Sequence, residues 1–146
     1  MPDVVVTVPK RFSTALSIQS GGRSGLDAWI EEGDAAGEPE TGQSYYFHLG
    51  HVHLPDIELG ERVYIVYNGC LRGYAPLTGI EEDPADDIYL VRQGGAVAVT
   101  IPEVIRGFRG WRYRWWERSQ EVAFPDWQNP HASPFLPNGA QEALAL

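Results

Sequence analysis

The chain has 146 residues, 43% of them hydrophobic, and sets 20 acidic against 11 basic side chains for a formal net charge of -9. That length supports one domain with a real core and is too short for two, and the acidity repels nucleic acid at long range, so any such contact has to come from a local patch. The lone cysteine, Cys70, excludes an intramolecular disulfide and a cysteine-based zinc cage, while no apolar run approaches the roughly 18 residues of a membrane span.

The opening stretch MPDVVVTVPKRF lacks the charged start and long apolar centre of a secretion signal. The expectation is a soluble, cytoplasmic protein with no membrane partner. Val4 to Val8 is a short β-branched run ending at Pro9, which suits a first strand at a sheet edge or barrel seam. Ser20-Gly21-Gly22-Arg23-Ser24 offers backbone N–H groups and a cation to an anion, but it lacks the lysine and length of a phosphate loop, so a plain helix lead-in is favoured. The helix itself is predicted within SGLDAWIEEGD, with Ser24 as N-cap, Asp27 as its capping-box partner and Gly33 as a stop. Lys10, Thr14 and Glu31 or Glu32 are the groups available for acid-base or nucleophilic work, though nothing in their spacing is specific, and no catalytic set is assigned. Residues 34–44 read as an exposed loop.

From Tyr45 the period becomes that of strands. YYFHLGHVHL is one β segment in which His48, His51 and His53 have ligand-like spacing; with no nearby cysteine and only Asp56 close by, neither a metal nor any other cofactor is expected. ERVYIVYNGCLRGYAPLTGI is a hairpin turning at Asn68-Gly69, which places Tyr67 opposite Cys70, Val66 opposite Leu71, Ile65 opposite Arg72 and Val63 opposite Tyr74. Both of its faces are largely apolar, implying a curved or closed sheet packed on each side. EEDPADD, residues 81–87, reads as a solvated loop in preference to a hard-cation site or a DNA-mimicking surface. IYLVRQGGAVAVTIP holds two strands around Gly94-Gly95, and RGFRGWRYRWWERS, residues 106–119, supplies the last one. Beyond Pro125 the prolines have no pattern, so the domain is set at 1–124 and residues 125–146 form a wrapping or disordered tail.

Five to seven short strands and one or two short helices make an α+β fold, a small, mostly antiparallel β pseudo-barrel. Gly60, Glu61 and Val63 at the start of the hairpin, with Gly73 on its returning strand, resemble the central hairpin of the PUA-like superfamily, which holds the PUA, ASCH and EVE domains; the helix with Trp29, the strand at 45–49 and the late aromatic strand come in the matching order. No Gly-x-Lys-x-x-Glu-x-Arg follows the first strand, so the resemblance does not extend to ASCH-type enzymatic activity. It implies binding of RNA or of modified bases.

Residues 106–119 hold five arginines and one glutamate in an otherwise acidic chain. As a strand, 111–116 places Trp111, Tyr113 and Trp115 on a core face and Arg112, Arg114 and Trp116 on the other, with Arg118 continuing that row. Cations beside a flat ring are what recognition of a single strand or an extruded base uses. The predicted surface is therefore Arg112, Arg114, Trp116 and Arg118, with Arg72 and Tyr74 bordering it from one face of the hairpin. The bland alternative is that Trp116 is a rim residue and the arginines pair with nearby carboxylates. Three functions follow in order: a binding module for single-stranded RNA or DNA or a modified base; an interaction protein docking through its acidic surface and its tail (Phe135, Leu136); and a small nucleoside hydrolase.

Overall fold

The computed structural model describes residues 3–8, 26–34, 37–38, 44–50, 53–129 and 131–132. Its elements in chain order are β1 (Val4–Thr7), α1 (Asp27–Asp34), β2 (Ser44–Gly50), β3 (Arg62–Tyr67), β4 (Cys70–Glu82), β5 (Ile88–Gln93), β6 (Val99–Thr100), β7 (Trp111–Tyr113), a 3₁₀ turn (Arg118–Gln120) and β8 (Val122–Ala123). Six strands form one sheet in the order β2-β5-β4-β3-β1-β7, and β6 pairs with β8 in a separate ribbon. All neighbours run antiparallel except β1 and β3. The fold is thus β-rich with a short helix, and the sheet is open: its edges, β2 and β7, are not paired with each other. No helix among the described residues is long and apolar enough to cross a membrane.

The sequence places β1 at a sheet edge or barrel seam; it lies one strand in from the edge of an open sheet, between β3 and β7. Its three valines are fully buried, because side chains that alternate across the sheet meet an apolar cluster on each face. Val4, Val6, Val63, Ile65, Leu77 and Leu90 pack on one face with Leu26 and Trp29 of the helical segment. Val5, Tyr64, Val66 and Leu71 pack on the other with Ile101, Ile105 and Trp116. Two covered faces are what the apolar hairpin predicted.

The hairpin turns at Asn68 and Gly69 with φ of 50° and 88°, the positive values a two-residue primed turn needs. Tyr67 pairs with Cys70 and Val66 with Leu71 as expected, but a bulge then intervenes: Ile65 faces Gly73, Tyr64 faces Tyr74 and Val63 faces Ala75. The residue displaced is Arg72. Its guanidinium donates to the carbonyls of Trp127, Asn129 and Ala132 at 2.8, 3.0 and 2.9 Å and lies over the Phe124 ring. A cation with that demand turns out of the ladder's alternation, and the register slips by one. Gly73 is required where it stands, since a Cβ there would meet the Trp29 indole at 2.5 Å and the Val97 carbonyl.

α1 continues past Gly33 to Asp34. Gly33 is a seat, not a stop: a Cβ would lie 2.6 Å from the Trp127 ring. Gln128 Nε2 donates to Asp34 Oδ1 at 3.0 Å, so the segment just beyond Phe124 is fastened to both helix and hairpin. Ser24 lies outside the described residues.

β7 is shorter than predicted, and its alternation ends at Tyr113. Trp111 packs on the core as expected, whereas Tyr113 and Trp115, expected beside it, are each 41% exposed and Trp116 is buried. Arg114 N–H still donates to the Asp3 carbonyl at 2.9 Å, in step with the Val4–Tyr113 pairing, and beyond it the chain bends, the Arg114 guanidinium reaching the Trp116 carbonyl. Along the free side of β7 run residues 53–57, whose His53 carbonyl accepts from Trp111 Nε1 at 2.7 Å and whose Asp56 N–H donates to the Tyr113 hydroxyl at 2.9 Å.

Candidate functional site

Most of the predicted surface belongs to an internal scaffold. Asp3 accepts from Arg62 N–H with Oδ1 and from Arg114 Nε and Arg118 Nη2 with Oδ2, at 2.9, 2.9 and 2.8 Å. Burial pushes its carboxyl up, but these donors outweigh burial and hold it below the ordinary carboxylate range. Glu121 is the second hub, accepting from Arg62 Nη1 at 3.0 Å, from the Tyr64 hydroxyl at 2.5 Å and from Trp116 Nε1 at 2.9 Å. Burial, then donation to Glu121, raises the Tyr64 phenol well above its usual range. Trp116 meets Tyr64 edge-on at 5.0 Å, and Tyr74 is half-buried beneath the Arg62 guanidinium, 4.0 Å away. Arg72 is fully buried, on the side of the carbonyls it binds, so it does not share a cleft with Tyr74. Of the six predicted residues, Arg114, Trp116, Arg118, Arg72 and Tyr74 serve packing or ion pairs in this way. Of the six, only Arg112 is an exposed cation with neither a carboxylate nor a carbonyl partner among the described residues.

What remains is the loop before β7. Ile101 and Ile105 are buried, Ile105 N–H donates to the Gly69 carbonyl at 2.9 Å, and Phe108 N–H donates to Thr7 Oγ1 at 3.2 Å. These anchors leave the side chains between them facing outward. They form a groove of about 530 Å³ walled by Glu103, Val104, Arg106, Phe108, Arg112 and Trp115. The Arg112 guanidinium lies 4.8 Å from the Phe108 ring and 5.8 Å from Trp115, while Trp115 Nε1 donates to Glu103 Oε2 at 2.9 Å. On the far side of Phe108 a second hollow of about 280 Å³ opens in the seam between β2 and the loop before β7, lined by Thr7, Phe47, His48, Leu49 and Arg109. Arg106, Arg109 and Arg112 meet no carboxylate at ion-pair distance among the described residues. Arg106 and Arg109 were visible in the sequence only as charge; Phe108, which sorts them to two sides, gave no signal there.

Other groups have other settings. His48 lies 3.3 Å from Asp87 and stacks on Tyr89 at 4.9 Å. No set of three or more metal-ligating side chains converges among the described residues; His51, Lys10, Thr14 and residues 20–24 lie outside them. Glu32 and Arg92 are buried together, 3.1 Å apart under α1, and burial raises the Glu32 carboxyl despite the cation. Asp83 ties the acidic loop to itself, accepting from Ala85 and Asp87 N–H at 2.9 and 3.0 Å. Cys70 is buried, which pushes its thiol up and leaves it unreactive. No family model, curated protein or solved structure matches the chain.

Proposed function

We propose that the protein is a small binding module for single-stranded nucleic acid, and that its contact surface is the groove of Arg106, Phe108, Arg112 and Trp115. One observation carries this: every described arginine with neither a carboxylate nor a backbone carbonyl as partner lies on the 106–112 segment, and two of the three line the same groove as a half-exposed tryptophan. Arginine supplies charge for phosphate, and exposed rings supply the faces on which bases stack, at about 1–3 kcal/mol per base. Glu103 is held by Trp115 at one end of the groove; it opposes phosphate there and favours a base edge that donates N–H. The resemblance of residues 60–73 to PUA-like hairpins agrees with such a ligand, and a PUA-like pseudo-barrel ancestry is part of the proposal. The rival role, protein docking through Phe135 and Leu136, depends on residues outside the described ones.

Titration of labelled single-stranded RNA and DNA, with duplex beside them, at two salt concentrations tests the reading. Binding is expected to be weak, better for single strands, and steeply salt-dependent; Arg106→Ala with Arg112→Ala should flatten the salt slope by roughly 1.4, at about 0.7 per phosphate contact. A folded sample that binds nothing at low salt overturns it.

A further inference from the structure

The sequence RGFRG places an arginine on each side of Phe108, and the structure gives each arginine its own hollow. Arg106 faces the groove with Trp115; Arg109 faces the seam with Phe47 and Leu49. The ring between them is set firmly. Besides the Phe108 N–H bond to Thr7, a Cβ on Gly107 would lie only 3.3 Å from Thr7 Cγ2, so the loop is pressed against β1 and the wall cannot swing far. The seam, at about 280 Å³, is small beside ligand pockets of roughly 300–1,000 Å³, a size that suits one flat ring with its phosphate left outside near Arg109. Its walls are aromatic and aliphatic.

We infer that the seam is a second subsite of the same surface, so that the ligand is a single strand of at least two nucleotides, with one base against Trp115, the next beyond Phe108, and the backbone crossing the loop between Arg106 and Arg109. This rests on the function proposed above and adds the length and path of the ligand. A free nucleotide fills one hollow; only a strand satisfies both sets of cations.

The test measures binding to the full chain by calorimetric titration with mononucleotides, dinucleotides and tetranucleotides of U and of dT, the two sugars in separate arms. A second occupied subsite should raise affinity roughly tenfold from mononucleotide to dinucleotide. Arg109→Glu, on an exposed loop, should bring the ratio of dinucleotide to mononucleotide affinity close to one, and Phe47→Trp, which fills the seam, should do the same in a sample with the parent's circular dichroism. Arg112→Glu should weaken every ligand. Equal affinity for mononucleotide and dinucleotide overturns the second subsite while leaving the groove in place, as does an Arg109→Glu effect that is the same for both. Absence of binding by the parent to any of these ligands at low salt overturns the groove and the subsite together.

Discussion

Arg114 and Arg118 sit a few residues from Arg106, Arg109 and Arg112 in one basic stretch, yet the two groups do different work. The first pair converges on the buried carboxylate of Asp3, 111 and 115 positions earlier in the chain; the other three open onto two aromatic-walled hollows and meet no carboxylate among the described residues. The side chain is the same in both regions. What separates them is whether a distant acid is delivered to them by the fold: β1 lies beside β7 and brings Asp3 with it. The arginine-rich stretch is therefore a mixture of scaffold and surface, and the scaffold part is the one with a partner far away in sequence.

The sharpest way to break this contrast is through the two adjacent tryptophans. Trp116→Ala removes a buried ring and the donor to Glu121 and should cost about 3–5 kcal/mol in chemical denaturation, whereas Trp115→Ala should cost no more than about 0.5 kcal/mol. A reversal would return the contact surface to Trp116. Next in size, Asp3→Asn should cost about 1–3 kcal/mol, because a charge-accepting carboxylate is lost to Arg114 and Arg118. The sign of the pH effect follows. A carboxyl held low in the folded state stabilises above its unfolded value and loses that contribution as pH falls through the folded one. The melting temperature of the parent should therefore fall on acidification more than that of the Asn variant. Glu32 has the opposite sign: its folded value is raised, so its contribution is present below the unfolded value and is lost as pH rises through the folded one. Glu32→Gln should consequently gain on the parent in melting temperature as pH rises. Smallest of all, Arg106→Ala and Arg112→Ala should each change stability by no more than about 0.5 kcal/mol, measured beside Arg114→Ala, which should cost more than either.

Local chemistry made the hairpin legible: Asn68-Gly69 specifies its own turn, and apolar runs on both faces announced a sheet covered on both sides. The bulge was not legible, because it arises from three carbonyls more than fifty positions downstream of Arg72. The facing of Trp115 and Trp116 failed for a related reason. Alternation holds only while the chain stays a strand, and β7 ends at Tyr113. Of the site, the basic window was plain in the sequence and the division within it was not, since charge pairing depends on neighbours in space.

The Arg72 clasp has a consequence for the order in which the protein is made. The hairpin leaves the ribosome early and can close at once around its tight turn, but the acceptors of its arginine follow 55 to 60 residues later. Until then a charge destined for full burial has no partner, and burial disfavours its charged form, as the lowered Arg72 value reflects. Sealing of that face of the hairpin therefore depends on residues 127–132, the last described part of the chain to be made.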